Sequence, residues 1–174
     1  MSPQSKVTIP TIGRNTAVVV MVIALLVALG AAAIATADAS KGQAGKPKTR
    51  AEVERALVGN WRVTSFPITN QNGDVVGDLY GDDPVGKITY TAQGDVWAFV
   101  GARDRTDPSR ALWYSGAFKV RARAHEVVHL VEWSSVPGIE GTDQVRHYSL
   151  RGDRLVLSFP LGDNTAHGHF VRAR

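Results

Sequence analysis

From Gly59 to the C-terminus the chain is a series of short segments in which apolar and polar residues alternate, separated by Gly, Asn and Asp. A period of two marks a β-strand with one buried and one wet face. The segments are Gly59–Phe66, Gly86–Thr91, Asp95–Val100, Leu112–Ala122, His125–Trp133, Thr142–Leu150, Leu155–Phe159 and the stretch from Thr165 onward. No second helical segment of useful length interrupts them, so βαβ units are not expected. So many antiparallel strands in a chain of 174 residues leave two raw edges unless the sheet closes on itself. The sequence therefore predicts an all-β protein, a closed antiparallel barrel of eight to nine strands. Eight strands enclose room for side chains or one small ligand.

The first 39 residues read differently. Lys6 and Arg14 give a basic start, Thr16–Ala35 carries no charge, and small residues follow with Ala-x-Ala sites at Ala35–Ala37 and Ala37–Ala39. Residues 1–39 are expected to be a signal peptide or an uncleaved N-terminal membrane anchor. Either one makes the protein secreted or extracytoplasmic, with residues 16–35 as its one link to a membrane. Ser40–Lys48 is a flexible linker rich in Gly and Lys. Thr49 and Glu52 fit a capping box that opens a short helix, and residues 49–174 form the barrel domain. Gly59 permits a tight turn from that helix into the first strand.

The charges exclude one class of partner. The net charge is +4 and both signs are interspersed, whereas nucleic-acid binders cluster their basic residues. Lys119, Arg121 and Arg123 fall on one face of a strand and read as its solvated side. There is no cysteine, hence no disulfide and no thiol for a lipid anchor. Phosphate loops, nucleophile elbows and zinc-protease motifs are absent from the sequence, and no cofactor is expected.

Three ordered motifs carry a resemblance: Leu57, Gly59 and Trp61 in "LVGNW"; Tyr80, Gly81, Pro84 and Gly86 in "YGDDPVG"; and Gly141, Thr142, Asp143 and Gln144 in "GTDQ". With them the chain resembles the lipocalin-like domain family of bacteria and fungi, a calycin-type β-barrel, over residues 55–174. The sequence departs where the family often carries a longer insertion, since only "GARDRTDPSR" follows the Asp95–Val100 segment. The resemblance implies that Trp61 plugs the closed end of the barrel with Arg172 packed across its ring. It also implies a small hydrophobic molecule in the interior.

The candidate ligand-binding residues are His129, Trp97, Phe99, Tyr90, Tyr114 and Trp133. His129 shares a face with Val127, Val131 and Trp133, opposite Glu126 and Glu132, which points its imidazole into an apolar interior. There it can orient a ligand or act as a base, or simply be a core histidine bonded to a Tyr or Ser. Trp97 and Phe99 share a face with Asp95; they either stack on a ligand or fill the core. Gly59, Trp61, Arg172, Thr142 and Asp143 are read as structural, the last two organising a loop through backbone hydrogen bonds. His167 and His169 in "HGH" point outward if Arg172 points inward, so no metal site is expected there. "RGD", Arg151–Asp153, is a hairpin turn. No catalytic residue is assigned. The expected function is binding of a small hydrophobic molecule, with a barrel isomerase or cyclase, or a filled barrel that binds another protein, as alternatives.

Overall fold

The structure, a computed structural model, describes residues 49–104, 107 and 110–174. The expected leader and linker lie outside the described residues. Helix α1 (Arg50–Leu57) begins with a complete capping box. The Thr49 amide donates to the Glu52 carboxylate at 2.6 Å, and the Glu52 amide donates to the Thr49 hydroxyl at 3.3 Å. Two backbone N–H groups at the helix start are thus satisfied. Val53 and Leu57 are its buried residues, and the helix lies against one end of the barrel.

Ten strands follow: β1 (Gly59–Ser65), β2 (Pro67–Thr69), β3 (Val75–Asp78), β4 (Pro84–Tyr90), β5 (Asp95–Ala102), β6 (Ala111–Arg121), β7 (Glu126–Ser134), β8 (Asp143–Arg151), β9 (Arg154–Leu161) and β10 (Asn164–Arg172). The pairing order is β1-β4-β5-β6-β7-β8-β9-β10, every neighbour antiparallel, and β10 pairs back onto β1. Eight strands thus close the barrel. β2 and β3 are a short hairpin that continues from β1 along β10. That hairpin was not expected from the sequence. Its strands have three and four residues, its burial pattern does not alternate, and Val75 and Val76 are exposed.

Two β-bulges shift the inside–outside pattern that strict alternation predicts. In β1 the register slips between Val63 and Ser65 against β10. Trp61 and Val63 point inward, Thr64 points outward, and Phe66 turns back into the core instead of sharing the outer face of Arg62 and Thr64. In β7 Val131 pairs with Gly116 and Trp133 with Ser115, so Glu132 is the extra residue. Glu132 and Trp133 both lie outside and Ser134 points in. A Cβ on Gly116 would stand 1.9 Å from the Leu130 carbonyl oxygen, so the crowded β7 backbone needs a glycine opposite it.

The closed end is built from α1, β1 and β10. Trp61 is fully buried and its indole N–H donates to the Leu57 carbonyl at 2.7 Å. The Arg172 guanidinium lies 4.1 Å from the indole centroid. It also donates to Val58 O at 2.8 Å and Ala56 O at 2.6 Å, where the last carbonyls of a helix lack intrahelical partners. Gly59 has φ +131°, and a Cβ there would come within 2.6 Å of Arg172 Nη1. Glycine at 59 therefore serves both the turn and the reach of Arg172 across it. Among the described residues no helix is long and apolar enough to cross a membrane.

Candidate functional site

The opposite end carries the β1–β4 segment with its β2–β3 hairpin and the loops after β5, β7 and β9. Just inside it is a cavity of about 40 Å³ lined by Phe66, Tyr80, Ile88, Tyr114, Arg146 and Phe170, among others. Two further lining residues, Leu112 and Phe159, are partly exposed and mark the side toward solvent. The free volume holds a water molecule or two; drug-sized ligand sites run to about 300–1,000 Å³. A larger depression, about 290 Å³, lies on the outer wall among Thr64, Arg151, Arg154 and His169. It is an open surface groove and does not reach the interior.

Arg146 is the charged group of the lumen. It is buried, and its guanidinium sits 4.2 Å from the Phe159 ring centroid. Its Nη1 donates to Val145 O at 3.0 Å and its Nη2 to Gln144 Oε1 at 3.3 Å. Gln144 is held in turn: its Nε2 donates to the Thr142 hydroxyl at 2.8 Å, and that hydroxyl donates to Ile139 O at 2.7 Å. The Thr142–Gln144 motif thus orients Arg146. Asp143 starts β8 opposite Leu130 with its side chain exposed. No carboxylate among the described residues pairs with Arg146; the charged and polar groups that act on it are the phenols of Tyr114, Tyr90 and Tyr80. Burial lowers its pKa from the ordinary guanidinium value, but arginine starts so high that it stays charged.

His129 is fully buried, with Tyr90 Oη 2.8 Å from Nε2 and Tyr114 Oη 2.7 Å from Nδ1. Burial first, then the nearby Arg146 charge, hold its pKa well below the ordinary imidazole value, so it is neutral at physiological pH. A neutral imidazole has one donor and one acceptor nitrogen, so one tyrosine donates to it and the other accepts. Both nitrogens are taken. Burial also raises the phenol pKa values of Tyr80, Tyr90 and Tyr114, which keeps them protonated.

Of the residues expected to contact a ligand, Tyr114 lines the cavity, while His129 and Tyr90 sit inside the barrel behind it. Trp97, Phe99 and Trp133 do not face the lumen. They are 61%, 40% and 68% exposed, on the outer wall. Trp97 and Phe99 alternate with the inward Val96, Ala98 and Val100, and Asp95 on their own face marks it as the wet one. Trp133 is outside because of the Glu132 bulge. His167 and His169 are on the outer face of β10. His167 bonds Thr69 and Ser158 through its two ring nitrogens, and no group of three metal-ligating residues occurs among the described residues. Asp153 of "RGD" lies in the β8–β9 turn 3.5 Å from Arg172 Nε. Sequence reasoning missed Arg146 and Tyr80. The inward phase of Tyr148 and Leu150 places Arg146 on the same face and could have found it.

An antiparallel barrel of eight strands, joined in sequence apart from one inserted hairpin and closed under a first-strand Trp and a last-strand Arg, is a lipocalin-type barrel. The lipocalin-like domain family matches residues 58–113 and 106–170, and the chain belongs to that family. No curated protein matches it. A solved structure similar to it is a de novo designed fluorescence-activating β-barrel, at 16% identity and TM-score 0.40, over 70% of this chain and 97% of that one.

Proposed function

We propose that the protein binds a small, mainly apolar molecule in the open half of its barrel, without catalysis, outside the cytoplasmic membrane. The observation that carries this reading is the cavity beneath Leu112 and Phe159, apolar on most of its wall and polar at Arg146, Tyr80 and Tyr114. A few placed polar groups in an apolar wall are what fix a ligand's orientation. Because the free volume is small, admission requires Leu112 and Phe159 to turn aside. Binding then draws on apolar burial, about 25 cal/mol per Å² before ordering costs. The occupied nitrogens of His129, set behind the cavity wall, argue against a general base and so against a cyclase or isomerase. The basic start and uncharged run of residues 1–39 support export, by a cleaved signal or a retained anchor.

A second reading has its own observation. Trp97, Phe99, Trp113 and Trp133 form an exposed aromatic patch on the wall of β5–β7, with Phe99 opposite Trp113 and both Trp97 and Trp133 opposite Ser115. Together with the modest cavity it favours a filled barrel that docks a partner. Native mass spectrometry of the full chain after export separates the two and also reads the mature N-terminus. A co-purified small molecule whose mass is lost on Leu112→Trp supports lumenal binding. A bare barrel that stays bare when offered apolar compounds refutes it.

A further inference from the structure

Arg146 sets a problem that its neighbours do not solve. Buried charges are almost always paired, yet the groups around this guanidinium are neutral: two oxygens of β8, the Phe159 ring and three protonated phenols. Each can satisfy an N–H or soften the charge, and none balances it. The guanidinium is also held in place rather than left to turn toward solvent, since Gln144 is fixed through Thr142 to the Ile139 carbonyl. It lines the cavity beside Tyr80 and Tyr114, whose phenols add O–H groups to its fork of N–H donors. The rest of the wall is apolar.

We propose, building on the lumenal binding described above, that the barrel selects a molecule bearing a single carboxylate on a short apolar body. The carboxylate sits against Arg146 and the body extends past Leu112 and Phe159 toward the mouth. Guanidinium and carboxylate match as planar two-point partners. One lumenal cation balances one negative charge, so a dianion such as a phosphate monoester leaves a charge uncompensated in an apolar chamber. An amine meets like charge, and an alcohol leaves the guanidinium unbalanced.

Calorimetric titration of the full chain, as recovered after export, with octanoate, octan-1-ol and octylamine tests this. Octanoate is expected to bind about 10- to 100-fold more tightly than octan-1-ol, the range for a hydrogen bond to a charged group, and octylamine most weakly. Arg146→Met removes the preference for octanoate and leaves octan-1-ol unchanged. Arg146→Lys, which keeps the charge and loses the fork, falls between. If the methionine variant does not fold, the wild-type ratio and the lysine variant still decide. Equal binding of octanoate and octan-1-ol overturns the carboxylate inference while leaving lumenal binding intact. A carboxylate preference that survives in Arg146→Met overturns it too, by placing the site elsewhere. Failure of all three probes to bind refutes both readings.

Discussion

Two arginines of this barrel lie flat on aromatic rings, Arg172 on Trp61 at 4.1 Å and Arg146 on Phe159 at 4.2 Å. The resemblance ends there. Arg172, at the closed end, is partly exposed, binds two carbonyls at the end of α1 and has Asp153 nearby. Helix C-termini carry partial negative charge, so every part of its environment favours a cation. Arg146, toward the mouth, is buried among neutral groups. The first charge holds the fold together. The second is tolerated by the fold, which is how a group kept for binding looks when stability is not its purpose.

The comparison breaks most directly at Arg172. Replacing it with Met removes a cation–π contact and two charge-assisted hydrogen bonds, and leaves carbonyls of the α1 terminus without their partner. The expected loss is about 2–4 kcal/mol of unfolding free energy. Urea denaturation checks it, and an unchanged midpoint would show that the plug is ornamental.

Acid sharpens the contrast at the other end. His129 is kept neutral in the fold, while in the unfolded chain it takes up a proton at about pH 6.5. Below that pH the unfolded state binds more protons, so stability is full above it and falls as pH drops. The slope from this one group is at most about 1.4 kcal/mol per pH unit. Urea midpoints at pH 7.5 and 5.5 for wild type and His129→Gln measure it. The variant, lacking the imidazole, is expected to lose less on acidification. Equal losses would mean that His129 becomes protonated within the fold.

The smallest effect is expected at Arg146. Because nothing balances its charge, Arg146→Met in the ligand-free protein is expected to leave the melting temperature unchanged or raise it, since replacing buried charge by apolar bulk is often neutral or stabilising. A large drop in a thermal melt would show that Arg146 belongs with Arg172 as a structural group.

Much of the barrel was legible because alternation and turn residues are local. The capping box at Thr49, the turn at Gly59 and the strand segments each follow from a few neighbouring residues. Face assignment was less secure. At Phe66 and Trp133 a bulge reverses the phase, and a bulge depends on the partner strand. Gly116, in the middle of β6, was the visible hint of one. At Trp97 and Phe99 residue size outweighed Asp95, though the charge was the better guide. His129 was correctly turned inward, but that both tyrosines would occupy its nitrogens depends on pairings across β4, β6 and β7. Arg146 was read past because a charge within a strand suggests solvent.

The extra residue at Glu132 has an effect beyond local geometry. Without that half-step the indole of residue 133 would swing to where Ser134 now points, beside a chamber far too small to take it. One surplus amino acid in a wall strand therefore keeps the gateway unstoppered, and the space it needs exists because position 116, facing it, has only hydrogen for a side chain.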